Sequence, residues 1–198
     1  MMRLLCLLLV SRAWADVPHG ARLLDLTGPP ALSPDGSTLV FEWNQDLWTA
    51  PSHGGEAKRI MNTPHREAYP KFLPDGSRIV FSSDRNGTLQ IHSVKPDGSD
   101  LKQHGFHSEA SVLEAVSPDG TRALASGPRE RFGYQQEQLV ELSLDPDQAG
   151  EQLVFQQPAH SAGYSPDGAS ILFCRYGEHL HRQGYHGARA AQIWRFDR

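Results

Sequence analysis

The sequence predicts an all-β chain: a β-propeller of four-stranded blades, with about four blades present and the last one incomplete. Three observations predict it. The first is a turn that occurs four times, as Ser33-Pro34-Asp35-Gly36, Leu73-Pro74-Asp75-Gly76, Ser117-Pro118-Asp119-Gly120 and Ser165-Pro166-Asp167-Gly168. The second is its spacing. The four prolines stand 40, 44 and 48 residues apart, a period of repeat arrays rather than of one irregular fold. The third is composition, since 18 Gly and 14 Pro in 198 residues fit many tight turns between short strands.

Each corner is justified by backbone chemistry. Proline presets φ at the first central position of a type I turn, Asp suits the second, and Gly accepts the left-handed exit. A short strand follows every copy: Thr38-Leu39-Val40-Phe41, Arg78-Ile79-Val80-Phe81, Arg122-Ala123-Leu124-Ala125 and Ser170-Ile171-Leu172-Phe173. The second unit is the cleanest. Ala68 to Leu73 leads into its corner, Arg78 to Ser83 leads out, Asn86-Gly87 turns the chain, Leu89 to Val94 returns, and Pro96-Asp97-Gly98 turns it again before Asp100 to Gln103. Four strands in about 40 residues make a propeller blade. The blades are expected at about 29–62, 64–105, 108–157 and 160–198. The fourth runs through Ile171-Leu172-Phe173-Cys174 to Gln192-Ile193-Trp194-Arg195-Phe196 without an outermost strand, so a fragment of a longer chain is expected.

Residues 1–15 are set aside as a signal peptide. Arg3 supplies the positive start, Leu4 to Val10 an apolar run, and Ala13-Trp14-Ala15 an A-x-A cleavage site. The other reading of this stretch is an N-terminal core strand. Cleavage after Ala15 leaves 17 basic and 23 acidic residues, a charge of −6, and Cys174 alone without a disulfide partner. The protein is therefore expected to be exported, to the periplasm or beyond. Its acidity argues against a nucleic-acid partner, and no apolar run reaches the length of a membrane span.

Alternating strand direction places the loops between second and third strands on the face opposite the corners. Two of these loops are long, Gly127 to Gln136 and Gly177 to Ala190, and variable loops on a rigid scaffold commonly carry function. They hold Arg129, Arg131, Tyr134, Arg182, Tyr185 and Arg189, a basic and aromatic set on an acidic protein, expected to bind peptide. His179, His181 and His186 are the nearest approach to a metal site. Without a fixed carboxylate partner they read as solvated surface, and no cofactor is expected. His104 and His107 border a blade connection. Ser99-Asp100-Leu101-Lys102 fits S-x-x-K but enters a strand rather than a helix, and no G-x-S-x-G elbow occurs. Asp145-Pro146-Asp147 reads as a turn. Trp48 and Trp194, with Ile91, Leu142 and Ile193, are expected to pack between blades from third strands.

The corners, with Asp84-Arg85-Asn86-Gly87 and Gln90-Ile91, resemble the WD40-like Pro-Asp-Gly repeats of the TolB and tricorn propellers. Two stretches favour the tricorn side. Asp46-Leu47-Trp48, then Pro51 and Gly54-Gly55-Glu56-Ala57-Lys58-Arg59-Ile60, resembles the first blade of tricorn-type serine peptidases. Arg182-Gln183-Gly184-Tyr185-His186-Gly187, followed by Gln192-Ile193-Trp194, resembles a later blade of the same propeller. The resemblance covers nearly all of residues 22–198, with Ile60-Met61-Asn62 standing where Leu-Thr is more usual. It implies propellers that gate or guide peptides towards a separate region with a serine nucleophile, beyond a PDZ-like domain. That region is not in this chain, so no catalytic residue is carried over. The expected partners are a peptide or protein substrate, and the C-terminal blades and peptidase region of the same polypeptide. The alternatives are a TolB-like periplasmic protein-binding scaffold and the propeller of a prolyl-oligopeptidase-type hydrolase.

Overall fold

Four antiparallel sheets follow one another along the chain, each built from consecutive strands. The computed structural model describes residues 28–129, 136–175 and 192–198. The first sheet joins β1 (Ala31–Leu32), β2 (Thr38–Trp43), β3 (Asp46–Pro51) and β4 (Lys58–Arg59). The second joins β5 (Glu67–Phe72), β6 (Ile79–Ser83), β7 (Gln90–Val94) and β8 (Lys102–Gln103). The third joins β9 (Val112–Val116), β10 (Arg122–Arg129), β11 (Gln136–Ser143) and β12 (Glu151–Leu153). The fourth joins β13 (His160–Tyr164), β14 (Ser170–Arg175) and β15 (Gln192–Asp197). These are the blades of a β-propeller, and the all-β fold predicted from the repeat is the fold observed.

The corners link the first and second strands of each blade, and their geometry follows from their chemistry. The N–H groups of Gly36, Gly76, Gly120 and Gly168 donate to the carbonyls of Ser33, Leu73, Ser117 and Ser165, each at 2.9 Å. All four glycines are left-handed, with φ of 74°, 72°, 74° and 70°. The aspartate between proline and glycine then accepts the N–H two residues on, from Ser37, Ser77, Thr121 and Ala169, at 2.9–3.0 Å. In three corners the leading serine donates to that carboxylate and accepts the N–H of Thr38, Arg122 or Ser170 at 2.9 Å. These bonds hold the Asp35 and Asp119 carboxyls down at about 2, the serine hydroxyl being the largest cause.

Neighbouring corners also touch. A Cβ on Gly76 would stand 3.7 Å from Cδ of Pro34, one on Gly120 3.3 Å from Cδ of Pro74, and one on Gly168 3.6 Å from Cδ of Pro118. So the proline of one corner lies against the bare backbone of the next. Between corner rows, sheet faces supply the core. Val40 and Leu47 of the first blade meet Ile79, Phe81 and Val94 of the second. Val80 and Ile91 meet Leu113 and Ala123, and Leu124 and Leu139 meet Ala159, Ile171 and Phe173. The period-2 alternation of a strand lets one blade feed both interfaces. Each fully buried side chain of this size contributes about 1.5–3 kcal/mol.

The third-strand residues divide by position. Ile91 and Leu142 are buried in the second interface, as expected. Ile193 is 81 % exposed, against expectation, because no described blade lies beyond the fourth; Trp194, paired with Phe173 on the face turned to the third blade, is still 43 % exposed. Trp194 instead lies under the Arg175 guanidinium, 5.4 Å from its ring centre. Trp48, in β3, makes an edge-to-face pair with the exposed Trp43 at 5.1 Å.

A β-branched residue resists the positive φ of a corner glycine. Gly76→Val should lower stability by about 1–2 kcal/mol, read from denaturant midpoints of the native polypeptide. Gly120→Val should lower it further, because its side chain also meets Pro74. An unchanged midpoint for both would contradict the corner geometry.

Two buried imidazoles give the fold a pH dependence. Burial pushes His92 and His104 down to about 4 from the usual 6.5. The unfolded chain therefore takes up protons first, and their contribution is complete above pH 7 and lost as pH falls towards 4, on the order of 2–3 kcal/mol each. Glu67, whose carboxyl burial raises, works in the opposite direction as one group against two. His92→Leu should flatten the fall of unfolding free energy between pH 7 and pH 4. An unaltered slope would contradict a neutral buried His92.

Candidate functional site: the inner channel and the loop face

The first strands β1, β5, β9 and β13 each stand at the open edge of their sheets and share a cleft of about 490 Å³, together with Pro74, Pro118 and Pro166. Three of the four are bulged. Register shifts fall between Ala68 and Lys71, at Glu114 opposite Leu124 and Ala125, and between His160 and Gly163. Tyr69 and Ser161 take φ of 55° and 50° there, in the left-handed region. A bulge breaks the regular ladder of an edge strand and re-aims side chains. The N–H groups that the bulges free are taken up by the preceding blade: Ser82 Oγ accepts Leu113 N at 2.8 Å, and Glu114 accepts Ser161 N and Ala162 N at 3.1 and 3.3 Å. Lys71 and Glu114 bring one charge of each sign to this lining.

On the opposite face the first two blades meet at a cluster of charge. Glu42 pairs with Arg66 at 3.1 Å, Glu67 with Arg85 at 3.1 Å, and Asp46 with Arg59 at 3.2 Å. All three carboxylates are buried, and Glu42 Oε2, Asp46 Oδ1 and Glu67 Oε2 have no hydrogen-bond partner. Glu67 also accepts from Thr63 Oγ1 at 2.5 Å, and its N–H donates to Gln45 O at 2.8 Å. Burial drives the Glu67 carboxyl up against the pull of Thr63 and Arg85, and the charges of Asp46 and Asp84 add to the rise. Sequence reasoning missed this seam. The available signal was the repeat register: six residues past the corner glycine, Glu42 stands where later blades carry Ser82, Ser126 and Cys174.

The expected peptide-binding residues lie in different places. Arg129 ends β10 and is 9 % exposed. Its guanidinium donates to both Glu151 oxygens at 2.7 and 2.9 Å, to Ser111 Oγ at 2.8 Å and to Ala110 O at 3.1 Å. These bonds fasten the outer strand of the third blade to the approach of its first. Arg131, Tyr134, Arg182, Tyr185 and Arg189 lie outside the described residues, as do His179, His181 and His186. In the sequence they fall between β10 and β11 and between β14 and β15.

The polar pairs that the sequence offers as candidate chemistry are each held in local contacts. Ser93 Oγ lies 2.8 Å from His104 Nε2, yet Ser93 is buried, receives Arg78 Nε at 2.9 Å, and faces an imidazole held at about 4. That pair braces the second blade. Ser99 donates to Asp97, and Lys102 approaches Asp100 at 3.9 Å, so the S-x-x-K residues are occupied separately. Asp145 caps a 3-10 turn, Pro146–Gln148, by accepting Asp147 N at 3.0 Å. Among the described residues no three metal-ligating side chains converge, and no helix is long and apolar enough to cross a membrane.

Comparison with known proteins places this geometry. Residues 26–198 match the family described as the tricorn protease N-terminal β-propeller domain. An uncharacterized protein of Agrobacterium fabrum is 26 % identical over 155 residues, 73 % of this chain and 53 % of its own length. Tricorn protease homolog 1 of Streptomyces coelicolor is 30 % identical over 70 residues, 35 % of this chain and 7 % of its own. The solved structure of a putative TolB from Agrobacterium tumefaciens shares the fold with a TM-score of 0.69 at 22 % identity, over 85 % of this chain and 57 % of that one. The crystal structure of the tricorn protease does so with a TM-score of 0.66 at 19 % identity, over 87 % of this chain and 17 % of that one. The chain thus spans about half the length of the Agrobacterium relative and a small part of the tricorn homolog. With a match that runs from residue 26 to residue 198, it belongs to the tricorn protease N-terminal β-propeller domain family.

Proposed function

We propose that this chain is the non-catalytic N-terminal propeller portion of an exported tricorn-like serine peptidase, which binds and guides peptides to a catalytic region elsewhere in the polypeptide. The observation that carries the reading is the family match over residues 26–198, joined to an arc of blades whose bulged first strands line a cleft. The loop face is the side on which peptides are first met. Arg129 is committed to Glu151 and Ser111, so the work of attracting acidic peptides falls to Arg131, Arg182 and Arg189, together with Tyr134 and Tyr185. The apolar run Leu4 to Val10 followed by the A-x-A pattern Ala13-Trp14-Ala15 supports export.

A second reading is a TolB-like propeller scaffold that binds another protein. It is favoured by one observation: the chain accounts for 57 % of the putative TolB structure but 17 % of the tricorn protease.

One assay on the native polypeptide tests the first reading against the second. It should label with a fluorophosphonate serine probe and cleave acidic peptides. Changing Arg131, Arg182 and Arg189 together to Gln should raise KM about 3- to 10-fold at low salt with kcat unchanged, as expected for the loss of three charges. A native polypeptide that neither labels nor cleaves would overturn the peptidase reading in favour of the scaffold. Cleavage with an unaltered KM would remove the arginine patch alone.

A further inference from the structure

One lysine interrupts a row of small residues in the cleft. Three residues ahead of each corner proline stand Ala31, Lys71, Ala115 and Gly163, and all four line the cleft of about 490 Å³. They hold one register. Ala31 pairs with Val40, Lys71 with Val80, Ala115 with Leu124 and Gly163 with Leu172. Directly paired residues share a face, and Val40, Val80 and Leu124 each belong to the core shared with the following blade. In the first and third blades the position is alanine, packed on the same core as a large residue of the following blade, Phe72 or Tyr164. In the fourth it is glycine, and a Cβ there would meet nothing within 4 Å. In the second it is a long, partly buried side chain ending in a charge, and the following blade offers the smaller Val116.

That charge has no partner. Glu114, the acid of the lining, accepts Ser126 Oγ at 2.6 Å and the N–H groups of Ser161 and Ala162 at 3.1 and 3.3 Å, which commits it to its own blade and the fourth. Tyr164 gives its hydroxyl to Glu141, and Ser165 gives its own to Asp167. Among the described residues Lys71 Nζ makes neither a hydrogen bond nor an ion pair. Around it the lining is largely apolar, with Phe72, Val116 and the corner prolines. An ammonium kept without a counter-ion in such surroundings carries a desolvation cost that a bound anion offsets.

We propose that Lys71 is the seat for a carboxylate of a peptide lying in this cleft, with the peptide's apolar side chains against the corner prolines. The small residues at the equivalent positions of the other blades leave room for that chain. The carboxylate comes from the peptide's C-terminus or from an Asp or Glu side chain. For its class of ligand this inference rests on the reading of the chain as a propeller that guides peptides, and it adds the residue that selects among them.

The experiment uses the native polypeptide, treated with the fluorophosphonate so that binding is read without cleavage. Isothermal titration calorimetry compares three alanine- and proline-containing peptides: one with a free C-terminus, one amidated, and one amidated with an internal Glu. Lys71→Ala installs the residue that the first and third blades already carry, and an equal unfolding midpoint checks that it folds. At least one carboxylate peptide should bind about 5- to 20-fold more tightly than the plain amide, as one partly exposed charged hydrogen bond allows. Lys71→Ala should remove that difference and Lys71→Arg should keep it. Preference for the free C-terminus identifies the terminal carboxylate as the source, preference for the Glu peptide a side chain, and both support the inference. A carboxylate preference that survives Lys71→Ala would overturn it, as would equal binding of the three peptides or binding of none. Labelling and cleavage decide the peptidase reading separately. A polypeptide that labels and cleaves with any of those contrary results loses this inference alone. One that does neither, yet binds carboxylate through Lys71, loses the peptidase reading alone.

Discussion

The contact between a corner proline and the bare α-carbon of the next corner glycine is the constraint on which this structure depends. It requires glycine for the left-handed exit, and at Gly120 also for the approach of Pro74, whose Cδ would lie 3.3 Å from a Cβ there. The Ser–Asp hydrogen bonds make the corner rigid enough for that contact to set the position of one blade against the next. The rest follows from geometry. Fixed corners fix where first strands stand, and so create the cleft between them. They also send the turns between β2 and β3 and between β6 and β7 to the other face.

Between the corners and the loop face the blades are held by apolar faces and by polar straps that cross each interface. The straps differ from seam to seam. Between the first two blades they are the ion pair of Glu42 with Arg66 and the bond from Glu67 N to Gln45 O. Between the second and third, Ser82 takes the N–H freed by a bulge. Between the third and fourth, Glu141 accepts from Tyr164 at 2.7 Å and pairs with Arg198 at 3.1 Å. Apolar burial supplies most of the stabilisation, while buried polar contacts of this kind fix one arrangement among several of similar packing. The result is a surface with two unlike faces: uniform corners on one side, and on the other the charged seam of the first two blades.

Much of this was legible in the sequence, and the limits have physical causes. The corner is a local motif whose residues determine their own backbone, so four copies were enough to give the blades and the fold. The Asn86-Gly87 turn and the buried strand runs of the second blade are likewise local. Partners across an interface are not local. Nothing in the sequence near Arg129 says that Glu151 and Ser111 will take its donors, and so it read as a surface charge. Glu42 and Glu67 carry no period of their own and went unnoticed, although the repeat register puts Glu42 at a position that reaches the next blade. The bulges in β5, β9 and β13 were invisible for the same reason, since an extra residue in a strand only shows once its partner is known. Ile193 was read from strand pattern alone, and burial there depends on a neighbour beyond the fourth blade.

A repeat array coupled only through nearest neighbours is most stable where a blade is covered on both sides, and opens most readily at its ends. Amide hydrogen exchange of the 198-residue chain, followed by mass spectrometry of its peptides, measures this directly. Coupling through the corners and faces predicts slowest exchange in β6 and β7, Ile79–Ser83 and Gln90–Val94, whose side chains are buried throughout. It predicts fastest exchange among the long strands in β15, Gln192–Asp197, which has a described neighbour on one side only. Equal protection across all four blades, or protection greatest in β15, would contradict the account.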